Sequence, residues 1–193
     1  MDADNKFINS TYVNTLYILE ALNFYQNEFR MLSVPMCVDL KAIHSSIPEF
    51  KRNELDILPR KNGSYYVGSA EQSFIYLHSH GLLPENKSMA LTPCQRDEIE
   101  DDIHLGIFLK LELINVGHHN VEDMLDICRK FFSKYSKNIE IIDSGNKPHE
   151  KDILINGIEV GSYGVGYMQD GTPYTYGTGI AEPRLSFALN NIN

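Results

Sequence analysis

Hydrophobic and polar positions along the chain follow two repeats, one typical of amphipathic helices and one typical of strands. Four helices are predicted, at 13–33, from near Ser69 to Gly81, at 120–135 and at about 182–192. In the first and third, apolar residues recur at helical spacing with charged residues between them. Asn120 is placed to cap the third helix, and Pro35 prevents the first from continuing.

Extended segments separate these helices. Strand candidates lie at 36–38, 65–67, 89–96, 108–115, 139–142 and, as a hairpin, 152–168. The polar stretch 41–63 contains Pro48, Pro59 and Asn62-Gly63, and is predicted to be a loop that could include one helical turn. No internal repeat is visible. The order of elements predicts an α+β domain with mainly antiparallel strands.

The hairpin carries two acidic residues around an Asn156-Gly157 dipeptide, a strong signal for a type I′ turn. The pairs that this turn would set are Ile155 with Ile158, Leu154 with Glu159, and Asp152 with Gly161. Asp152 and Glu159 would then share one face as diagonal neighbours. Two such carboxylates could hold a hard cation together with phosphate oxygens. The alternative is the solvated face of an edge hairpin.

A second constellation begins at Arg96 and continues in the strand at 108–115. Phe108, Lys110 and Glu112 share one face of that strand, and Leu109, Leu111 and Leu113 share the other. An arginine offers a fork to a phosphate, and a phenylalanine offers a flat surface to a base. This face could therefore bind a nucleotide. The alternative is a hairpin with its leucines in the core and a mixed polar face outside.

A third segment combines glycines with a helix start. Gly177 and Gly179 allow close backbone approach, Pro183 suits a first helical turn, and Arg184 follows it. A glycine-rich turn of this kind can bind an anion or be purely structural.

Composition narrows the possibilities. The chain has 193 residues, 42% of them hydrophobic, and a net charge of −9, which fits one folded domain. No basic stripe is present, so the charge argues against nucleic-acid binding. No apolar run is long enough to span a bilayer. The polar, acidic N-terminus does not resemble a secretory signal, and three cysteines without metal-type spacing indicate the cytoplasm.

In order, these segments resemble the signatures of class II aminoacyl-tRNA synthetases, most closely the aspartyl/lysyl/asparaginyl branch. That branch's second signature has an arginine, a phenylalanine twelve residues later and an acid four beyond, as do Arg96, Phe108 and Glu112. The residues matching its third signature are Gly177, Gly179, Ala181 and Arg184, and those matching its acidic pair are Asp152 and Glu159. Residues 14–38 resemble the first signature, and Ser69-Ala70-Glu71 resembles the loop that binds a substrate's α-amino group.

The resemblance implies a role for each matched residue. Arg96 would contact the α-phosphate of ATP and the substrate carboxylate, and Arg184 would hold the γ-phosphate. Candidate ATP-binding residues are Glu98, His104, Phe108, Glu112, Gly177 and Gly179. Asp152 and Glu159 would bind magnesium. Candidate substrate-binding residues are Ser69, Glu71, Gly161 and Tyr163, the last from a tyrosine cluster that could line a pocket or pack an ordinary hairpin.

The resemblance also implies a fold and an activity. We expect a single catalytic domain over 1–193, an antiparallel sheet flanked by helices, without an anticodon-binding domain. It would be an AMP-forming ligase that activates a small amino acid or related carboxylate and passes it to a non-tRNA acceptor. Residues 14–38 would form a homodimer interface.

Departures from the branch's pattern keep other functions open. Gly166 replaces the arginine that reads an acidic side chain in aspartyl-type enzymes, Gln95 replaces an aromatic residue, and Pro183 replaces an acid. One alternative is a non-catalytic paralogue that acts as a binding or regulatory protein. Others are an amide ligase resembling ammonia-dependent asparagine synthetase, and an enzyme that acylates a tRNA by its acceptor end alone.

Overall fold

A computed structural model of the protein describes residues 13–47, 49, 52, 58–96, 105–145 and 149–190. The helices in these ranges are α1 (Thr15–Tyr25), α2 (Leu40–Ser46), α3 (Ala70–Ser79), α4 (Val121–Phe132) and α5 (Arg184–Asn190). The strands are β1 (Arg30–Met31), β2 (Cys37–Val38), β3 (Tyr65–Tyr66), β4 (Lys87–Gln95), β5 (Ile107–Val116), β6 (Ile139–Asp143), β7 (Lys151–Ile155), β8 (Ile158–Tyr167) and β9 (Pro173–Glu182). Every described helix is too short or too polar to cross a bilayer.

Seven strands form one sheet in the order β1-β4-β5-β9-β8-β7-β6. β1 runs parallel to β4, and the other neighbours are antiparallel. β2 and β3 form a separate small antiparallel pair. The predicted α+β class with a mainly antiparallel sheet flanked by helices is confirmed.

Alternation along the strands divides the sheet into two faces. One face packs against α1, α4 and α5, and its core includes Tyr25, Phe131, Leu111 and Leu113. We call it the core face. The opposite face is partly covered by α2 and α3, with Phe74 packed near Ile114 and Tyr174. Leu111 and Leu113 are therefore buried on the core face, as their spacing predicts, and Leu109 packs there partly buried. Lys110 and Glu112 alternate with them and face the other way.

The cap predicted for α4 is present, and α3 is capped by the residue near which its start was predicted. Asn120 Oδ1 accepts a hydrogen bond from Glu122 N at 3.2 Å, and Ser69 Oγ accepts one from Glu71 N at 3.2 Å. α4 ends at Phe132, three residues earlier than the apolar pattern indicates. α3 is followed by Gly81 with φ of 66°, a conformation that favours glycine.

The first helix differs most from the prediction. α1 ends at Tyr25 instead of 33, because the chain turns and enters β1 alongside β4. Its buried residues are Ile18, Ala21 and Tyr25, whereas Leu16 is 69% exposed and Leu19 is 50% exposed. The apolar residues around 13–33 thus serve two surfaces, only one of which is the core.

A second helix lies where a loop was predicted. α2 occupies two turns of the polar stretch, and Asp39 Oδ1 accepts a hydrogen bond from Ala42 N at 2.8 Å. The cap was the available sequence signal. Because few apolar residues follow Asp39, the stretch lacks the amphipathic pattern that would have indicated a helix.

The hairpin turn is confirmed, but its register shifts further along. Asn156 and Gly157 have φ of 52° and 78°, and Ile155 pairs with Ile158. A bulge then shifts the register, so Asp152 pairs with Ser162 and not with Gly161. Near the C-terminus, Gly177 and Gly179 lie inside β9, and the turn into α5 comes only after Glu182.

Candidate functional site

A row of polar side chains crosses four neighbouring strands on the face opposite the core face. Glu112 of β5 pairs with Thr178 of β9, and Asp152 of β7 pairs with Ser162 of β8. Ser162 N donates a hydrogen bond of 3.4 Å to Thr178 Oγ1, which joins the two pairs. Three strand spacings separate the ends of this polar row, about 14 Å. It is the floor of the candidate site.

Arg96 and Phe108 lie together beside one end of the polar row. The Arg96 guanidinium carbon is 5.0 Å from the centre of the Phe108 ring. Arg96 Nε and Nη2 also donate to the carbonyl oxygen of Gly68, at 3.4 and 3.3 Å. The strand pairing of β4 with β5 brings the two residues together, since Phe108 lies opposite Cys94. In this arrangement the guanidinium could bind a phosphate through hydrogen bonds while the ring stacks on a base.

Glu112, at this end of the polar row, has two donors on one of its carboxylate oxygens. Lys110 Nζ lies 2.7 Å from Glu112 Oε2, and the Ser69 hydroxyl donates to the same oxygen. Glu112 Oε1 is buried and has no hydrogen-bond partner among the described residues. Because Ser69 begins α3, Glu112 lies under the predicted substrate-binding loop. Its role in ATP binding stays a prediction.

Two buried tyrosines of β9 each donate a hydrogen bond to a carboxylate. Tyr174 donates to Glu71 Oε1 at 2.7 Å, and Tyr176 donates to Glu150 Oε1 at 2.6 Å. Burial, together with these neighbouring carboxylates, raises the pKa of both phenols well above the ordinary value, so both stay protonated and donate. They form a wall beside the polar row.

The acidic pair and Arg184 lie at the other end of the polar row. Arg184 Nη1 is 3.0 Å from Glu159 Oε1. Burial raises the pKa of Asp152 to about 6, and the charges of Glu159 and Glu150 add to this. A hydrogen bond from Ser162 and the charge of Arg184 oppose the shift. Asp152 Oδ1 is buried and, within the part of the chain that the structure describes, unpartnered.

An unpartnered carboxylate oxygen next to a second carboxylate fits a divalent cation. Within the described ranges, no three His, Cys, Asp or Glu side chains cluster as a metal site. A magnesium ion at Asp152 and Glu159 would therefore need further ligands from a phosphate group. The predicted placement of Asp152 and Glu159 on one face is consistent with their pairing and mutual electrostatic effect.

Arg96 and Arg184 thus reach the same face of the sheet from distant points of the chain. The residues that the structure brings to this face are Arg96, Phe108, Glu112, Ser69, Glu71, Asp152, Glu159 and Arg184. Their roles stay predictions. Glu98 and His104 lie outside the described residues.

Four predicted site residues face the core instead. Tyr163 is fully buried in the core that α1 and α4 cover, and its hydroxyl donates to Thr178 O at 2.8 Å. A Cβ at Gly177 would lie 2.5 Å from the Tyr163 ring, and one at Gly179 would lie 3.1 Å from Tyr25. Gly161 is likewise crowded by Tyr163. Tyr163 therefore packs in the core, as in the hairpin-packing alternative, and does not line a pocket. The three glycines leave room for core tyrosines, and their ligand-binding roles stay predictions.

Three residues of this face, Thr178, Ser162 and Glu150, were not predicted. Lys110 was predicted to share the face with Phe108 and Glu112, but was given no role of its own. Register was the missing information, because only the pairing of β9 with β8 and of β8 with β7 shows which hydroxyl meets which carboxylate.

Comparisons with known proteins agree with this architecture. No protein family model and no curated protein matches the sequence. Among solved structures, PylSc of Desulfitobacterium hafniense, a pyrrolysyl-tRNA synthetase, is similar with a TM-score of 0.71 and 15% identity, over 90% of this chain and 68% of that one. A second structure of pyrrolysyl-tRNA synthetase from this organism gives 0.69 and 12%, over 89% and 67%.

Seryl-tRNA synthetase from Pyrococcus horikoshii, complexed with ATP, is similar with a TM-score of 0.73 and 16% identity. The match covers 90% of this chain but 49% of that protein, so the chain spans about half of its length. The fold is therefore that of a class II aminoacyl-tRNA synthetase catalytic core. At these identities the likeness establishes the fold alone.

Proposed function

We propose that the protein is an AMP-forming ligase that uses ATP to activate a small amino acid or related carboxylate. The observation that supports this best is the polar row, with Arg96 and Phe108 beside one end and Arg184 beside the other. Two cations on one face, separated by hydroxyls and carboxylates, suit a substrate that is both anionic and amine-bearing. The spacing of Arg96, Phe108 and Glu112 supports the finer assignment to the aspartyl/lysyl/asparaginyl-like branch.

The proposed reaction requires positioning more than acid–base chemistry. A carboxylate oxygen of the amino acid attacks the α-phosphorus of ATP, the bond to the leaving pyrophosphate breaks, and an acyl-adenylate remains. Arg96 would neutralise charge at the α-phosphate, Phe108 would stack on the adenine, and Arg184 would hold the γ-phosphate. Asp152 and Glu159 would hold Mg²⁺, which supplies charge neutralisation to the phosphates when bound.

The substrate end of the site supports an amino acid without an acidic side chain. Ser69 and Glu71 would receive its α-amino group. Gly166 occupies the position of the aspartyl-type arginine, and a side chain there would collide with the Tyr174 ring. A cationic side chain that could bind the carboxylate of an acidic substrate therefore cannot be accommodated at this position. This disfavours an asparagine-synthetase-like amide ligase acting on aspartate.

The net charge of −9 supports a non-tRNA acceptor, since a tRNA backbone would be repelled. The three cysteines are free, which fits a reducing compartment such as the cytoplasm. Both statements belong to the proposal.

We also propose a homodimer through residues 14–38. Exposed apolar side chains on and after α1 support it: Leu16, Leu19, Met31 and Met36 are all 46% exposed or more. Sedimentation should give a dimer for the wild type and a monomer for Leu16→Asp/Leu19→Asp. Leu82→Asp, at an equally exposed leucine elsewhere, should stay dimeric. A monomeric wild type at micromolar concentration would refute the interface.

One observation favours a non-catalytic binding protein as the second candidate. The Arg184–Glu159 ion pair joins the residue proposed to bind the γ-phosphate to a residue proposed to bind Mg²⁺. While the pair is formed, each side chain is engaged by the other and not by its proposed ligand. In an active enzyme, Mg²⁺ and ATP would have to separate them. An exposed pair of this kind contributes at most about 1 kcal/mol, which ATP binding easily exceeds.

ATP–pyrophosphate exchange across a panel of amino acids tests the proposal. We expect exchange with at least one small amino acid, and a loss of at least about a hundredfold in Arg96→Ala. Arg129→Ala, at an exposed arginine on α4, is the matched control and should keep wild-type exchange. Exchange with no amino acid, together with ATP binding by calorimetry, would leave the binding-protein function. The absence of both would exclude each nucleotide-based function.

A further inference from the structure

One edge of the seven-stranded sheet is formed by β6, and no described strand pairs with the outer side of that strand. Ser144 N donates to Glu150 O at 3.0 Å, which shows which pairs of β6 and β7 exchange hydrogen bonds. By alternation, the residues of β6 that turn their backbone N–H and C=O groups away from β7 are Ile139, Ile141 and Asp143. This edge therefore offers an extended segment a row of unpaired donors and acceptors.

The β6 edge also lacks most of the usual protection against strand addition. It is five residues long, contains no proline, and pairs with β7 in an unbroken register. Ile141 and Ile142 point to opposite faces of the sheet, and each is 43% exposed. The other edge of the sheet, β1, is only two residues long. Short edge strands, bulges and prolines prevent strand addition, so β6 is the edge that can accept a further strand.

Carboxylates determine which kind of strand fits this edge. Glu140 and Glu159 lie on either side of Leu154 in the strand pairing and share one face of the sheet. Asp143, whose side chain is 78% exposed, lies 2.6 Å from Lys151. β6 itself carries no cation, and the chain has a net charge of −9. A second copy of the chain would bring more carboxylates to this edge, whereas a lysine placed opposite Glu140 would form a favourable cross-strand pair.

We propose that β6 is a docking edge for an extended segment of a partner protein in which apolar and basic residues alternate. Backbone hydrogen bonds give such a complex its affinity, and contacts with Ile141 and Glu140 give it selectivity. Because Ile142 pairs with Asp152, the added strand would lie two strand spacings, about 10 Å, from the end of the polar row. The partner is thereby brought beside the candidate site. The proposal goes beyond the proposed function and does not depend on it, because strand pairing needs neither ATP nor an amino acid.

Two synthetic peptides, one alternating valine with lysine and one alternating valine with glutamate, test this on the full chain by NMR titration and amide hydrogen exchange. The lysine peptide should bind about fivefold or more tightly than the glutamate peptide. Its binding should slow exchange at the outward amides of Ile139, Ile141 and Asp143. A lysine peptide methylated on every backbone nitrogen should not bind, because it cannot donate to the edge.

Charge reversal at the exposed Glu140 provides the matched variant. Glu140→Lys should lower the ratio of the two affinities about tenfold, since it weakens the lysine peptide and favours the glutamate peptide. Asp126→Lys reverses an exposed carboxylate on α4, changes the net charge equally, and should keep the wild-type ratio.

Equal affinity for the two peptides, or slowed exchange at amides elsewhere in place of the β6 amides, would overturn the proposal. Slowed exchange at β6 that appears without peptide as the protein concentration rises would also overturn it, because a second copy would then be the partner. Peptide binding at β6 without pyrophosphate exchange would refute the ligase and retain the docking edge.

Discussion

The hydroxyl of Tyr174, on β9, donates a hydrogen bond of 2.7 Å to Oε1 of Glu71, on the first turn of α3. Tyr174 is fully buried and Glu71 is 8% exposed, so the bond is nearly shielded from water. It links the sheet to the helix whose first turn carries the proposed amine-binding residues. The orientation of Glu71 therefore depends on a residue from a distant strand.

Tyr174→Phe should lower stability and weaken amino acid binding together. A hydrogen bond from a buried phenol to a carboxylate contributes about 1.5–3 kcal/mol. We expect a loss of that size in the free energy of unfolding from urea titration, with a higher KM for the amino acid in exchange. Tyr167→Phe, at a tyrosine that is 63% exposed, is the control and should change neither quantity. An unchanged KM in a destabilised Tyr174→Phe would show that the bond is only structural.

The glycines of β8 make room for the tyrosine wall, which gives a second prediction. A Cβ at Gly166 would collide with the Tyr174 ring, whereas a Cβ at Gly68 would be 3.6 Å from its nearest neighbours. Gly166→Ala should therefore cost about 1–3 kcal/mol in urea unfolding. Gly68→Ala should cost little. Equal stabilities of the two variants would mean that the Tyr174 ring can move aside freely.

Much of the fold follows from local sequence signals, because caps and turns act over a few residues. Asn120 caps its helix and Asn156-Gly157 makes the hairpin turn, as predicted, and Ser69 caps the helix that was predicted to begin near it. Asp39 caps α2 by the same chemistry, but few apolar residues follow to draw attention to it. Local signals fail where an element serves two surfaces, as α1 does with its buried Ile18 and exposed Leu16.

The sequence predicted which types of residue form the site, but not which of them face the site and which face the core. Arg96, Phe108, Asp152 and Arg184 reach one face, which their spacing in the sequence could suggest only through a family resemblance. For Tyr163 the sequence leaves two possibilities open, a pocket beside the site or ordinary packing in the hairpin. The bulge and the strand pairing direct it to the core. Alternation predicts faces only where the register is unbroken.

Glu182 provides a pH-dependent prediction outside the site. It is fully buried, Oε2 accepts from Asn14 N at 3.3 Å and from Ser186 Oγ at 2.7 Å, and no described residue donates to its buried Oε1. Burial raises the pKa of this carboxyl above its ordinary value of 4.5. The folded protein therefore retains a proton that the unfolded chain has lost, and stability falls as the pH rises above 4.5.

Glu182→Gln should remove that part of the pH dependence. Compared with the wild type, the variant should become progressively more stable as the pH rises from 4.5 to 7, as measured by urea unfolding at each pH. Glu140→Gln, at an exposed glutamate of β6, serves as the control and should give a constant difference. A difference that does not change with pH in Glu182→Gln would mean that Glu182 is ionised without cost in the folded protein.

The Arg96–Phe108 contact separates recognition of the adenine base from recognition of the phosphates. The proposed stacking of adenine on Phe108 contributes about 1–3 kcal/mol, because stacking depends on a flat ring of π-electrons. Phe108→Leu keeps an apolar side chain but loses the ring, so the Kd for ATP should rise about tenfold by calorimetry. Inorganic triphosphate has no base, and its binding should be unchanged in this variant. Arg96→Met should weaken both ligands, since the guanidinium would meet phosphate in each. If Phe108→Leu weakened triphosphate as much as ATP, the ring would act only by supporting Arg96 from 5.0 Å away, and the adenine site would have to lie elsewhere.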